Sequence, residues 1–224
     1  MNSLLALKLF LSPLFLAFVT VIQRRWGDRV GGRLIGLPLT TGPFIIIIYV
    51  QEGSEFAARA AHGVLVGQVA LIIFCWSYAS ASLRSGWVLS LTLGTSACIA
   101  SGLLLNIRQI ALLPLLILLS LTWFCAKKYW PRYENAPHSN TPPKWELPIR
   151  IIATVLLILA LTEFASILGA RAAGVISTYP VIISVLGAFN QRRFGPNATV
   201  ATLHGVLQTL PIASIIMSAV TISL

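Results

Sequence analysis

The chain has 224 residues, 57% of them hydrophobic and 10% charged, with a mean hydropathy of +0.86 and a formal net charge of +10. A soluble domain carries roughly 25% charged residues, so this composition excludes an ordinary soluble domain and points to a bilayer. The positive charge does not argue for nucleic acid: Lys and Arg fall in short loops between apolar runs, not on a basic face interleaved with aromatics.

A membrane helix needs about 20 mostly apolar residues. About eight such segments are predicted, at residues 3–22, 34–50, 57–78, 87–104, 110–126, 151–168, 172–189 and 199–223. The first lacks a charged leader and a small-residue cleavage site and reads as a retained helix, with Lys8 near its outer end. The second contains Pro38, Gly42 and Pro43, which makes a re-entrant loop its alternative reading. Cys75, Cys98 and Cys125 lie inside apolar runs without neighbours at metal-ligand spacing and read as buried free thiols. The polar stretch 127–150 holds Pro131, Pro137, Pro142 and Pro143 and is predicted to be irregular. It separates a first half of five segments, 1–126, from a second half of three, 151–224. Trp26, Trp130 and Trp145 fall at segment ends, where indoles anchor to the interface.

If every segment crosses, twelve Lys and Arg fall on one side and four (Lys8, Arg59, Arg108 and Arg171) on the other. The first side is then cytoplasmic and both termini lie outside. Without a crossing at 34–50 this bias would collapse, so full crossing is favoured.

The two halves share a repeat. Gly31-Gly32-Arg33-Leu34-Ile35-Gly36 is echoed by Gly169-Ala170-Arg171-Ala172-Ala173-Gly174, with Arg33 and Arg171 138 residues apart. Thr41 and Pro43 are echoed by Thr178 and Pro180, and His62-Gly63-Val64-Leu65 by His204-Gly205-Val206-Leu207. Five crossings separate the two arginines, an odd number, so the copies face opposite sides: an all-α integral membrane protein with an inverted-topology repeat, five segments plus three.

Proline inside a helix frees a carbonyl and breaks or bends the helix. A half-helix starting at Pro43 or Pro180 would aim unpaired N–H groups and a positive dipole end into the interior, with Thr40, Thr41, Ser177 and Thr178 adding hydroxyls. The competing reading is packing, in which the glycines let helices approach and the hydroxyls bond their own backbone. Arg33 and Arg171 either attract an anion from the two sides or clamp helix ends. His62 and His204 either meet on the pseudo-two-fold to carry protons or bond neighbouring helices. Glu163 is the one acidic residue well inside an apolar segment, a proton-coupling candidate or the partner of a lateral ion pair. Arg150, which opens the sixth segment, reads as an interfacial residue like Lys8. Triads, phosphate-cradling loops and paired CxxC motifs are absent, so no hydrolase or kinase, cofactor or metal is expected.

Leu4-Leu5-Ala6-Leu7-Lys8 and Gly36-Leu37-Pro38-Leu39-Thr40-Thr41-Gly42-Pro43-Phe44 resemble the N-terminal part of the small GlpM-type bacterial inner-membrane proteins. Gly174-Val175-Ile176-Ser177-Thr178-Tyr179-Pro180 resembles the same stretch, although here Thr precedes Pro, whereas in the family it follows. The resemblance implies a bacterial inner-membrane protein and transfers no catalytic residue. The leading expectation is a small transporter with its substrate, an anionic or polar metabolite, between segments two and seven. A homo-oligomer or another membrane subunit would fill the surface left by the two missing segments. The second expectation is a non-transporting membrane subunit that anchors or assembles a larger complex, and a weaker third is a lipid-modifying enzyme using His62, His204 and Glu163 together.

Overall fold

The computed structural model describes residues 3–39, 41–105, 110–134, 145–168 and 179–224, with side chains from residue 10 in the first helix and up to residue 163 in the seventh. Thr40, Arg171, Ser177 and Thr178 therefore lie outside the described residues, as do Arg108 and the side chain of Lys8.

The described chain is helical and contains no strand. Its elements are α1 (Ser3–Trp26), α2 (Asp28–Gly36), α3 (Thr41–Glu52), α4 (Ser54–Ser82), α5 (Trp87–Leu105), α6 (Leu112–Lys128), α7 (Glu146–Leu168), α8 (Val181–Phe194) and α9 (Pro196–Ser223). Apolar runs of this length favour helices because each N–H finds its acceptor within the segment. Among the described residues, four stretches are long and apolar enough to cross a membrane: Asp28–Glu52, Ser54–Ser82, Trp87–Leu105 and Pro196–Ser223. The expected eight segments are thus matched by four that meet this standard.

The segment expected at 34–50 is two helices. Pro38 brings no N–H, and Leu37 and Leu39 bond Leu34 O and Leu37 O at 3.3 and 2.8 Å instead of continuing the helix. α3 then starts at Thr41 with Pro43 in its first turn, where a missing N–H costs nothing. α8 likewise starts directly after Pro180.

A second feature recurs in both halves. α3 is joined to α4 through Gly53 (φ 85°, ψ 178°) and α8 to α9 through Gly195 (φ 85°, ψ 179°). Only glycine occupies this region without strain. Gly53 and Gly195 are 142 residues apart, as are His62 and His204. The repeated unit is therefore a short helix, a positive-φ glycine and a long helix. The long helices run antiparallel. Gln191, just before Gly195, donates to Ser82 O and Ser85 O at the end of α4 (3.2 and 2.8 Å), whereas Ser214, far along α9, donates to Gln68 Oε1 in mid-α4 at 2.7 Å.

α4 and α9 form the centre of the bundle. Leu65, Val69, Ile72, Phe74 and Tyr78 pack with Leu203, Leu207, Leu210 and Met217, and with Cys98 of α5 and Leu115 of α6. Outer faces are apolar too, with Phe124 and Ile215 exposed, as a lipid-facing surface requires. Cys75 and Cys98 are buried, but Cys125 is exposed on α6, because its side of that helix meets no neighbour.

Candidate functional site

Two polar clusters meet where α2 packs on α9. The approach is backbone to backbone. A Cβ on Gly32 would lie 1.9 Å from Thr202 O, and one on Gly205 2.2 Å from Arg29 O. Small residues at such a seam let two helices touch without intervening side chains.

The first cluster lies along the edge of the seam. Arg29 and Arg33, one turn apart, both donate through Nε to Gln208 Oε1, at 3.2 and 3.0 Å. Thr209 Oγ1 donates to Arg33 O at 2.8 Å. One turn earlier on α9, His204 Nδ1 is 2.9 Å from Tyr133 OH, and its ring stacks on Trp130 with centroids 5.4 Å apart. Trp123 Nε1 donates to Leu207 O at 2.8 Å, and Lys127 Nζ sits 4.8 Å above the Trp123 ring. The charges of Arg29, Arg33 and Lys127 all reach His204. Burial raises the Tyr133 pKa from its ordinary value, outweighing the nearby Arg29 and Arg33 charges, so the phenol keeps its proton. Tyr133→Phe is expected to lower stability by about 1 kcal/mol, the net worth of one hydrogen bond. The shift in the thermal unfolding midpoint of detergent-purified protein measures it.

The second cluster is buried. Arg150 and Glu146, each with a side chain only 2% exposed, form an ion pair at 2.5 Å on α7. Arg150 Nη2 also donates to Asn190 Oδ1 at 3.2 Å, and its guanidinium lies 5.3 Å over the Phe189 ring. Asn190 Nδ2 donates to Thr202 Oγ1 at 3.0 Å, as does Gln23 Nε2 at 3.2 Å. Gln23 Nε2 also bonds Asp28. Arg193 Nη1 stands 3.3 Å from Glu146 Oε2, an ion pair rather than a directed hydrogen bond. Arg150 Nε and Nη1 find no hydrogen-bond partner among the described residues. Thr202 joins the clusters: its carbonyl faces Gly32 and its hydroxyl accepts from both Asn190 and Gln23.

The expected site residues are distributed unevenly over this frame. Arg33 and His204 fall together in the first cluster. Thr41 and Pro43 sit in the first turn of α3, which rests on α4. Pro180 precedes α8, where Tyr179 OH bonds Thr95 Oγ1 and Ser184 Oγ, each at 2.9 Å. Tyr179, just before Pro180, packs edge-on against Phe74 of α4, and Gly187 of α8 meets Tyr78 of the same helix. His62 and His204 do not meet: they occupy equivalent places on antiparallel helices, on opposite sides of the Gln68–Ser214 contact. Glu163 is on the exposed side of α7.

Two readings from the sequence need correction. Arg150 is not an interfacial residue, because helix α7 begins earlier than expected, at Glu146, and carries it into the bundle one turn after that carboxylate. Trp130 is more than an anchor, because the end of α6 folds it onto His204. Arg29 and Lys127 had counted only toward the orientation, and Tyr133 and Gln208 went unnoticed. The available signals were the four-residue spacings Arg29/Arg33, Glu146/Arg150 and His204/Gln208, which place each pair on one helix face.

The fold and these clusters define an all-helical chain with several helices able to cross a membrane and a charged network at one end. The chain matches no protein-family model, no curated protein and no solved structure.

Proposed function

We propose that the chain is a small membrane carrier built from two inverted, unequal halves, with five and three crossings. The observation that carries this reading is the repeated unit of short helix, positive-φ glycine and long helix, whose two long members run antiparallel. Broken helices in equivalent, oppositely directed repeats are how such carriers shape a midplane site. The substrate class is an anionic or polar small metabolite, bound near Pro43 and Pro180 with Thr40, Thr41, Ser177 and Thr178, between Arg33 and Arg171. Glu163, His62 and His204 are its coupling residues. The bacterial inner membrane, outward termini and kinship with GlpM-type proteins belong to the same proposal. The hydrogen bonds that join the ends of α1 and α8 to the start of α9, the start of α7 to the end of α8, and the end of α8 to the end of α4 support a single basic end facing the cytoplasm.

A second reading has its own observation. The backbone contact at Gly32 and Gly205 leaves no space between α2 and α9, and an apolar groove lined by Phe10, Leu11, Leu14 and Ile151 runs along α1. Both features suit a non-transporting subunit that packs against other membrane helices.

Proteoliposome uptake and efflux with a broad panel of organic anions separates the two. A carrier moves at least one solute, and Arg171→Ala or Glu163→Gln slows it about tenfold or more, equivalent to about 1.4 kcal/mol. If no solute moves, or both variants match the wild type, the carrier reading fails and the subunit reading stands.

A further inference from the structure

Arg29, Arg33 and Lys127 form a concentration of positive charge for which the described residues supply no ion-pair partner. Among the described residues, no carboxylate lies within ion-pair distance of any of the three. Asp28, next in sequence to Arg29, is turned instead toward Gln23. Like charges one helical turn apart repel, yet both guanidiniums converge on one neutral amide oxygen, Gln208 Oε1. Each uses only Nε there, so their Nη groups are left without a hydrogen bond among the described residues. A guanidinium offers five N–H donors in a planar fork suited to oxyanions. The Gly32 and Gly205 contact fixes α2 against α9 and holds the two forks side by side. Tyr133 and Trp130 fix the His204 ring beside them.

We propose that this end of the α2–α9 seam is a phosphate-binding site, held by Arg29, Arg33 and Lys127. A phosphomonoester or inorganic phosphate, with a charge approaching −2, neutralises most of the three cations, whereas a single carboxylate or a phosphodiester leaves most of their repulsion in place. The phosphate is that of a lipid headgroup or of a free phosphate compound. The site stands independently of whether the chain transports anything.

The test is binding, not transport. Thermal unfolding of the detergent-purified protein is followed with inorganic phosphate against chloride at equal ionic strength, and in phosphatidylcholine nanodiscs with and without phosphatidic acid, whose headgroup is a phosphomonoester. The wild type is expected to unfold at a higher temperature with inorganic phosphate or with phosphatidic acid. A response to inorganic phosphate identifies a free ligand, and a response to phosphatidic acid alone identifies a headgroup. In the responding condition, Arg29→Gln combined with Arg33→Gln is expected to weaken the apparent affinity about tenfold or more, one or two charge-assisted bonds being lost. Lys127→Gln, at the exposed end of α6, tests the same site without disturbing the seam, and Arg59→Gln, paired with Glu55 on α4, serves as the control. The proposal is overturned if neither condition stabilises the wild type, or if Lys127→Gln and the double variant respond as the wild type does.

Discussion

Glu146→Gln is expected to be among the most damaging single substitutions in this chain. It keeps the shape of the side chain and removes its charge, leaving the Arg150 guanidinium buried with Asn190 as its remaining described hydrogen-bond partner. Removing one member of a buried ion pair costs about 3 to 5 kcal/mol, because the other charge remains desolvated and uncompensated. The pair itself need not add stability. Replacing both members, Glu146→Leu with Arg150→Met, is therefore expected to recover most of what the single substitution loses. Chemical or thermal unfolding in detergent measures both. A single variant as stable as the wild type would show that water reaches Arg150, and a double variant no better than the single would show that the wider network needs the pair.

The second large effect separates the two copies of one motif. Gly205→Ala places a methyl group 2.2 Å from Arg29 O and 2.8 Å from Arg33 N, and Gly32→Ala places one 1.9 Å from Thr202 O. These neighbours are backbone atoms and cannot rotate away, so the seam has to open. Overpacking of this kind costs about 1 to 3 kcal/mol, more where backbone must move. The two substitutions disrupt one contact, so their combined cost is expected to fall short of the sum. Gly63, the counterpart of Gly205 in the first His-Gly-Val-Leu, meets nothing within 4 Å. Gly63→Ala is expected to be neutral or stabilising by about 0.5 to 1 kcal/mol, from backbone entropy alone. Equal losses at Gly63 and Gly205 would refute this assignment of the seam.

That contrast also marks how far the sequence could be read. Apolar runs locate helices because a helix satisfies its own backbone, so α4, α5 and α9 were legible to within a few residues. A break was expected at Pro43, but it falls a few residues earlier, around Pro38, and Pro43 stands in the first turn of α3. The repeat suggested two equivalent units, and Gly53 and Gly195 share one backbone conformation although their surroundings differ. The candidate site was less legible. His204 was noticed as a repeated residue, and Gln208 lies one turn along the same helix, but Arg29 comes from α2 and Lys127 and Tyr133 from the end of α6 and just beyond it, both far away in the chain. Arg150 looked like a helix-end residue because the start of α7 was placed too late.

The sequence by itself determined that this chain is apolar and helical, and that its two halves repeat a pattern. Those properties follow from local chemistry: hydrophobicity, backbone self-satisfaction and the constraints of proline and glycine. Only the tertiary structure decided that Gly205 is pressed against α2 while Gly63 is open, that Arg150 is buried beside Asn190 of α8, and that three cations gather around His204 and Gln208. Burial and charge pairing depend on which distant segments meet, and residues far apart in the chain carry no local mark of their partners.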